Sequence, residues 1–253
     1  MNLIRLNATV SREVKRFLRI PVQTLVSPWI SATLYILVFG VVIGERIIFL
    51  PGIDYIDFVF PGLLMMQLIG GAYGQSAYSL FFQRWNRTIE EMLVSPLSYP
   101  EIILGFILGA AARAVLVGAG VYVIALLFTD ATMAHLPLFI FYVLIVSVLF
   151  ALIGILIGLW AEKFEQLNML QTFIITPLIY VGGVFNTIDM LPENAQWLVR
   201  LNPIFYMVDG LRYSMIGYSE SPLVQGMVAL TLATVLLFVL VVYLFRIGWK
   251  LRS

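Results

Sequence analysis

The chain has no cysteine, one histidine (His135) and only 11% charged residues. Without cysteine there is no disulfide, no thiolate nucleophile and no thiolate metal site. One histidine beside Pro137, with no carboxylate near it in sequence, does not make a metal cluster. Nothing matches G-x-x-x-x-G-K-[ST], so no phosphate-binding loop is expected and any uphill transport must draw its energy from another subunit. No nucleophile with its base and no paired acids stand out, so no catalytic residue is assigned and an enzyme is not expected. Ionisable residues are almost missing from the apolar runs, Arg113 excepted, which argues against an ion-coupled carrier.

What the chain has instead is apolar length. Hydrophobic residues make up 61% of its 253 positions, above the roughly 45–50% usual for soluble domains. Runs free of Asp, Glu, Lys, Arg and His cover 20–44, 58–83, 136–161, 166–188 and 221–245. Each exceeds the roughly 20 residues that cross a bilayer as a helix. A sixth run, 102–129, qualifies if Arg113 is tolerated inside it. The fold class expected is therefore an all-α integral membrane domain over 1–253, with spans at about 21–44, 58–82, 102–128, 136–160, 166–187 and 222–246. The first run is too long for a signal-peptide core and no A-x-A-like site follows, so it is expected to remain.

Placing residues 1–19, 84–101, 162–165 and 246–253 on one side collects eleven of the 15 Lys and Arg there. The opposite side holds only Arg46, Arg200 and Arg212, with the acids Glu45, Asp54, Asp57, Asp130, Asp189, Glu193, Asp209 and Glu220. The positive-inside rule then predicts that both termini are cytoplasmic.

Residues 1–19 place Leu3, Leu6, Val10, Val14 and Phe17 at spacings of three and four, with Arg5, Arg12, Lys15, Arg16 and Arg19 mostly elsewhere. This predicts an amphipathic helix in the cytoplasmic headgroup layer, serving as a basic anchor or a mechanical element. Pro21 then breaks the chain. Gly70 with Gly74, Gly105 with Gly109 and Gly154 with Gly158 have G-x-x-x-G spacing, which lets helices approach closely within a subunit or across a dimer. After the fifth run, residues 189–217 suggest two short outer helices: Pro192 near a start, a break at Asn202-Pro203 and a stop at Gly217. Asp209 and Arg212, three apart, are positioned for a local ion pair. Arg113 sits about 18 Å up its helix, near mid-bilayer. Either it pairs with polar groups such as Gln67 or Gln75, or it meets an acidic or phosphate-bearing substrate. Trp29, Tyr35, Phe39, Tyr73 and Tyr180 suit an amphipathic substrate, yet such residues also pack cores and mark interfaces.

The charged stretch "RTIEEMLVSPLSYP" at 87–100 stands apart. Thr88 and Glu91 fit a capping box, Ile89, Met92 and Leu93 share one helical face, and Pro96 ends the turn. A one- to two-turn helix at 88–96 is expected, showing its apolar face to the cytoplasm. It serves either as a tight connection or as a plug seated in a partner's groove, with Glu90 free to meet a basic residue there.

"RTIEEMLVSPLSYPEIILG", with "FVFPGLLMM", "TPLIYVGGVF" and "LNPIFYMVDGLRY", resembles the ABC-2 type transporter permeases, the membrane subunits of bacterial ATP-binding-cassette exporters. The likeness covers nearly the whole chain. It is greatest to the YadH-like group and more distant to the nodulation-factor and daunorubicin exporter permeases. The resemblance implies a half-size inner-membrane permease that pairs with a second copy and with two cytoplasmic ATPase subunits, which bind the ATP and magnesium. Thr88, Ile89, Glu90, Glu91, Met92, Leu93, Val94, Ser95 and Pro96 would match the coupling helix, and Arg12, Lys15, Arg16 and Phe17 the interfacial helix. Arg113, Tyr35, Phe39, Tyr73 and Tyr180 would face the translocation path, and Asn202, Pro203, Tyr206, Asp209 and Arg212 the outer gate. The function implied is export of a lipid, lipid-linked glycan or drug, with no nucleic acid involved. A non-transport scaffold and a passive channel are the alternatives.

Overall fold

The computed structural model describes residues 3–44, 53–129 and 132–251, and is all-helical there. Glu45, Arg46 and Asp130, expected on the outer side, lie outside those residues, as does the side chain of Leu3. Among the described residues, five helices are long and apolar enough to cross a membrane: Val22–Gly40, Tyr55–Trp85, Tyr99–Ala125, Leu136–Trp160 and Leu223–Arg246.

Helix α1 (Leu3–Leu18) leads into the first span, where a π-helical segment (Val22–Val26) precedes α2 (Ser27–Ile36) and another (Leu37–Ile43) follows it. Pro28 explains the first wide turn. Its ring excludes an ordinary helical bond to the carbonyl four residues back, and the wider turn accommodates it. Ser27 accordingly donates to Val22, five residues back. The expected fifth span repeats the device: α7 (Phe164–Leu170), a π segment (Gln171–Ile175) and α8 (Thr176–Val181) run on without a break, with Pro177 just past the wide turn. This helix stops six residues before the expected 187, because Gly182-Gly183 turns the chain and Gly183 takes φ +75°.

Helix α3 (Tyr55–Trp85) is the central post. Around it pack α5 (Tyr99–Ala125), α6 (Leu136–Trp160) and α10 (Pro203–Ile216), with α11 (Leu223–Arg246) against α6. The G-x-x-x-G pairs divide by use. A Cβ at Gly154 would lie 2.1 Å from Ser76 Oγ and one at Gly158 2.9 Å from the Ala77 carbonyl, so this pair brings α6 onto the α3 backbone. At Gly105 and Gly109 a Cβ would lie 2.3 and 2.4 Å from Thr9 and Glu13 side chains, so this pair receives α1. Both approaches are within one subunit.

Helix α1 therefore seats a stripe that shares, among its described side chains, only Phe17 with the one its apolar spacing predicts. Thr9, Glu13 and Phe17 are buried, while Leu6, Val10 and Val14 are only half-buried. Flat glycine surfaces on α5 admit the former stripe, and hydrogen bonds satisfy its polar members. At the opposite end, the short α9 (Glu193–Leu201) and α10 follow a 3-10 turn (Ile188–Met190), and Gly217 ends α10 at φ +72°. Helix α10 does not lie on a surface but is buried between α3 and α6.

Candidate functional site

At the arginine-rich end, α3 passes into helix α4 (Thr88–Val94) across Asn86 and Arg87. Arg87 occupies the left-handed region, φ 59°. That residue already turns the chain, so Thr88 is helical rather than capping. Its hydroxyl donates to the Gln83 carbonyl at 3.3 Å, and the expected Thr88–Glu91 capping box does not form. A capping box is present ten residues on, where Glu101 accepts from the Ser98 backbone N–H at 2.9 Å and opens α5. Helix α4 ends two residues short of the expected 96, with Ser95 extended and donating its hydroxyl to the Met92 carbonyl at 2.6 Å.

The apolar face of α4 points inward. Ile89 and Met92 are buried in a cluster with Leu80, Ile103, Phe106 and Leu159, against which Leu93 packs. The outward surface is instead Thr88, Glu90, Glu91, Val94 and Pro96, with Val94 86% exposed. An isolated turn this short has little stability of its own, so the inward packing is what holds it.

Helix α1 is tied to this structure by charge. The Glu13 carboxylate accepts from Ser79 Oγ at 2.5 Å, Gln83 Nε2 at 3.0 Å and Arg12 Nη2 at 3.2 Å. Arg12 also donates to Gln83 Oε1 at 3.2 Å and contacts Met92 Sδ at 2.9 Å. Arg5 donates to the Pro96 carbonyl at 2.5 Å, and Arg16 to Ser79 Oγ at 2.7 Å. Burial pulls the Arg16 guanidinium below its ordinary value, with Glu13 opposing. Lys15 stays exposed. Gln75 Nε2 lies 3.4 Å from the Glu13 carbonyl. Helix α4, α1 and the end of α3 thus form one cross-linked unit. Glu13, Ser79 and Gln83 are absent from the sequence expectation; the available signal was a lone acid in the basic helix.

Higher in the spans, aromatic rings gather between α2 and α8. Tyr35 stacks on Phe39, Phe39 on Phe185 with centroids 4.5 Å apart, and Tyr180 on Phe185. The Tyr35 and Tyr180 hydroxyls meet at 3.2 Å. Phe185, missed in the sequence, is the hub. Tyr73 is not part of this group: it is fully buried and donates to the Leu167 carbonyl at 2.9 Å. Arg113 reaches neither Gln67 nor Gln75; its Nη1 lies over Gly74, 3.8 Å from where a Cβ would stand, beside the Tyr78 ring.

At the far end, Asp209 and Arg212 are both fully buried, yet they do not form the expected ion pair. Asp209 accepts from the Glu220 and Ser221 backbone amides at 2.9 and 3.0 Å, and from the Ser219 and Ser221 hydroxyls. It shapes the turn ahead of α11. Arg212 donates to the Phe58 carbonyl at 3.1 Å and the Gly183 carbonyl at 2.5 Å, with its guanidinium carbon 3.7 Å over the Phe58 ring. Burial brings it down to about 10, against the pull of Asp209 and Glu220, so it remains charged at neutral pH. Asn202 caps α10 by accepting from the Ile204 N–H at 3.0 Å, and donates to the Leu178 carbonyl at 2.6 Å. Pro203 occupies the first turn of α10, and the Tyr206 hydroxyl donates to the Arg200 carbonyl at 2.9 Å. His135 stacks on Tyr213 at 5.1 Å. No group of three or more metal-binding side chains occurs among the described residues.

Comparison with known proteins gives a consistent result. Residues 5–216 match the ABC-2 type transporter family. The chain is 40% identical over 251 residues to inner membrane transport permease YadH of Escherichia coli strain K12, covering 99% of this chain and 98% of that protein. It is 27% identical over 214 residues to nodulation protein J of Rhizobium leguminosarum bv. trifolii, with 84% and 82% of the two chains covered. Its likeness to nodulation protein J of Rhizobium meliloti strain 1021 is 26% over 193 residues, or 76% and 72% of the chains. The multi-span helical architecture and these matches together establish that the chain belongs to the ABC-2 type transporter family.

Proposed function

We propose that this chain is the membrane subunit of an ATP-driven exporter, working as a pair of copies with two separate cytoplasmic ATPase subunits. The observation that carries the reading is the cross-linked unit of α4, α1 and the end of α3, in a chain without a nucleotide-binding loop. Work applied to the outward face of α4 passes through Met92, Arg12 and Glu13 directly to the ends of α3 and α5.

On this reading the arginine-rich end is cytoplasmic and the protein resides in the inner membrane, as YadH does by name. The helical run Phe164–Val181 is the sixth crossing. At about 27 Å it comes close to the hydrocarbon thickness of about 30 Å, and six crossings put both termini on one side. Substrate passes between the two copies, below the Tyr35, Phe39, Tyr180 and Phe185 cluster, which forms the outer plug. Alternating access requires the ATPase's nucleotide states to bind the two permease conformations unequally.

The test follows from which face of α4 is exposed. Glu90→Lys, Glu91→Lys and Val94→Asp together leave the packed Ile89 and Met92 untouched. The expected outcome is full expression and unchanged thermal unfolding, with loss of the co-purifying P-loop ATPase. Undiminished ATPase association in a folded triple variant overturns the assignment.

A further inference from the structure

Gly70 and Gly74 differ from the other close glycine pairs. A Cβ at Gly70 would meet only Gln171 Nε2, at 3.9 Å, and the atoms nearest to one at Gly74 are those of Tyr78 and Arg113, at 3.7–3.8 Å. No helix backbone occupies the space over these two turns of α3; side-chain ends do. The hollow is lined by donors. Arg113 makes no hydrogen bond or ion pair among the described residues, and its Nε is buried without a partner. Tyr78 donates its hydroxyl to Asn168 Oδ1, which leaves the Asn168 amide nitrogen pointing its protons elsewhere. The Gln171 amide nitrogen is also without an acceptor among the described residues. No carboxylate acts on Arg113: Glu13, on the packed α1, is satisfied by Ser79, Gln83 and Arg12, and Glu165, three residues before Asn168, is exposed.

A permanent cation in mid-span is costly unless an anion or water meets it. Arg113 is 14 residues into α5, about 21 Å along its axis. The Asn168 and Gln171 amides lie nearer the arginine-rich end, four and seven residues past Phe164 but inside the apolar run, and we take an anion that meets them there as cargo. We propose that Arg113, with the Asn168 and Gln171 amides, holds an oxyanion of the transported molecule, a phosphate or carboxylate, within the spans on the arginine-rich side of the aromatic plug. This rests on the permease reading and adds the substrate's charge to it.

The test uses the purified full chain in neutral maltoside detergent, so it is independent of ATPase association. Dodecyl phosphate is expected to raise the thermal unfolding midpoint of the wild type, by roughly 5–10 °C at a hundredfold excess over its dissociation constant. Inorganic phosphate is the second arm: a shift at comparable concentration also supports the site and assigns it to a soluble phosphate. Arg113→Lys keeps the effect, and Arg113→Gln raises the half-maximal concentration at least about tenfold, as loss of a charged hydrogen bond requires. Gly74→Asp guards against a misfolded Arg113 variant. Its carboxylate has room beside Arg113, satisfies the guanidinium from within and abolishes the shift while leaving unliganded stability intact. Stabilisation that persists in both Arg113→Gln and Gly74→Asp, or that dodecyltrimethylammonium reproduces, overturns the proposal.

Discussion

Two acids set opposite expectations for single residues. Glu13 is 1% exposed and accepts three hydrogen bonds, so removing it takes the acceptor of the Ser79 hydroxyl and one acceptor each from Gln83 and Arg12. Glu13→Ala is expected to lower stability by about 1–3 kcal/mol, read as a drop of several degrees in the unfolding midpoint. Glu220 is the reverse case. Burial, aided by Asp209 and Asp189, raises its carboxyl above the ordinary 4.5 despite the Ile188 N–H and Arg212, and its Oε2 has no partner. The folded state then holds that proton more tightly than the unfolded one, so stability declines as pH rises from the ordinary carboxylate value through the raised one. Glu220→Gln keeps an acceptor for the Ile188 N–H and removes the charge. It should raise the midpoint at about pH 7, the gain shrinking towards about pH 4, as thermal scans across that range would record. Neither role was legible in the sequence, where Glu13 is one acid in a basic helix and Glu220 one acid in a loop; burial alone separates them.

Among the elements, α1 and α5 offer the sharpest test. Gly105→Leu with Gly109→Leu fills the surface on which Thr9 and Glu13 rest, and overpacking of this kind costs typically 1–3 kcal/mol per site. Helix α1 should lift away and fray, so that trypsin cleaves faster after Arg12, Lys15 and Arg16 in inside-out vesicles while the spans stay intact. Cleavage no faster than wild type would mean that α1 is held by its charges and not by the glycine surface. The existence of α1, α4 and the spans could be read from apolar runs, prolines and caps, because those signals are local. Which face of α1 or α4 turns inward could not. Apolar spacing favours Leu6, Val10 and Val14, whereas flat glycines about a hundred residues away in sequence, on α5, and a set of matching donors select Thr9 and Glu13. The same limit misplaced the α4 cap: Thr88 and Glu91 have the right spacing, but the left-handed Arg87 removes the extended residue that a cap needs.

At the scale of the whole molecule, the Tyr35 and Tyr180 hydroxyls fasten the two sides of the proposed plug, and Tyr55 holds Phe185. Tyr35→Phe removes the contact with Tyr180 and retains the stacking on Phe39. Losing about 1 kcal/mol shifts an open–closed equilibrium about fivefold. The chain has no cysteine of its own, so a single one introduced at the exposed Thr172 reports access without background. Labelling by a membrane-impermeant maleimide from the outer side should rise accordingly in Tyr35→Phe, and an unchanged rate would show that stacking alone closes the path. The family and the all-helical, multi-span class were legible at this scale, since both are distributed along the chain. The Asp209–Arg212 geometry was not, because proximity on one helix says nothing about carbonyls brought in from residues 58 and 183.

That last contact also constrains the order in which the protein can be made. Arg212 joins the start of α3 to the turn after α8, and the ribosome delivers it more than 150 residues after Phe58. Until then the Tyr55 hydroxyl on the Phe185 carbonyl already joins the same two places, but the carbonyls of Phe58 and Gly183 have no guanidinium to accept from. The buried guanidinium clasp between α3 and the turn after α8 is therefore completed late, and a nascent chain arrested before residue 212 lacks it.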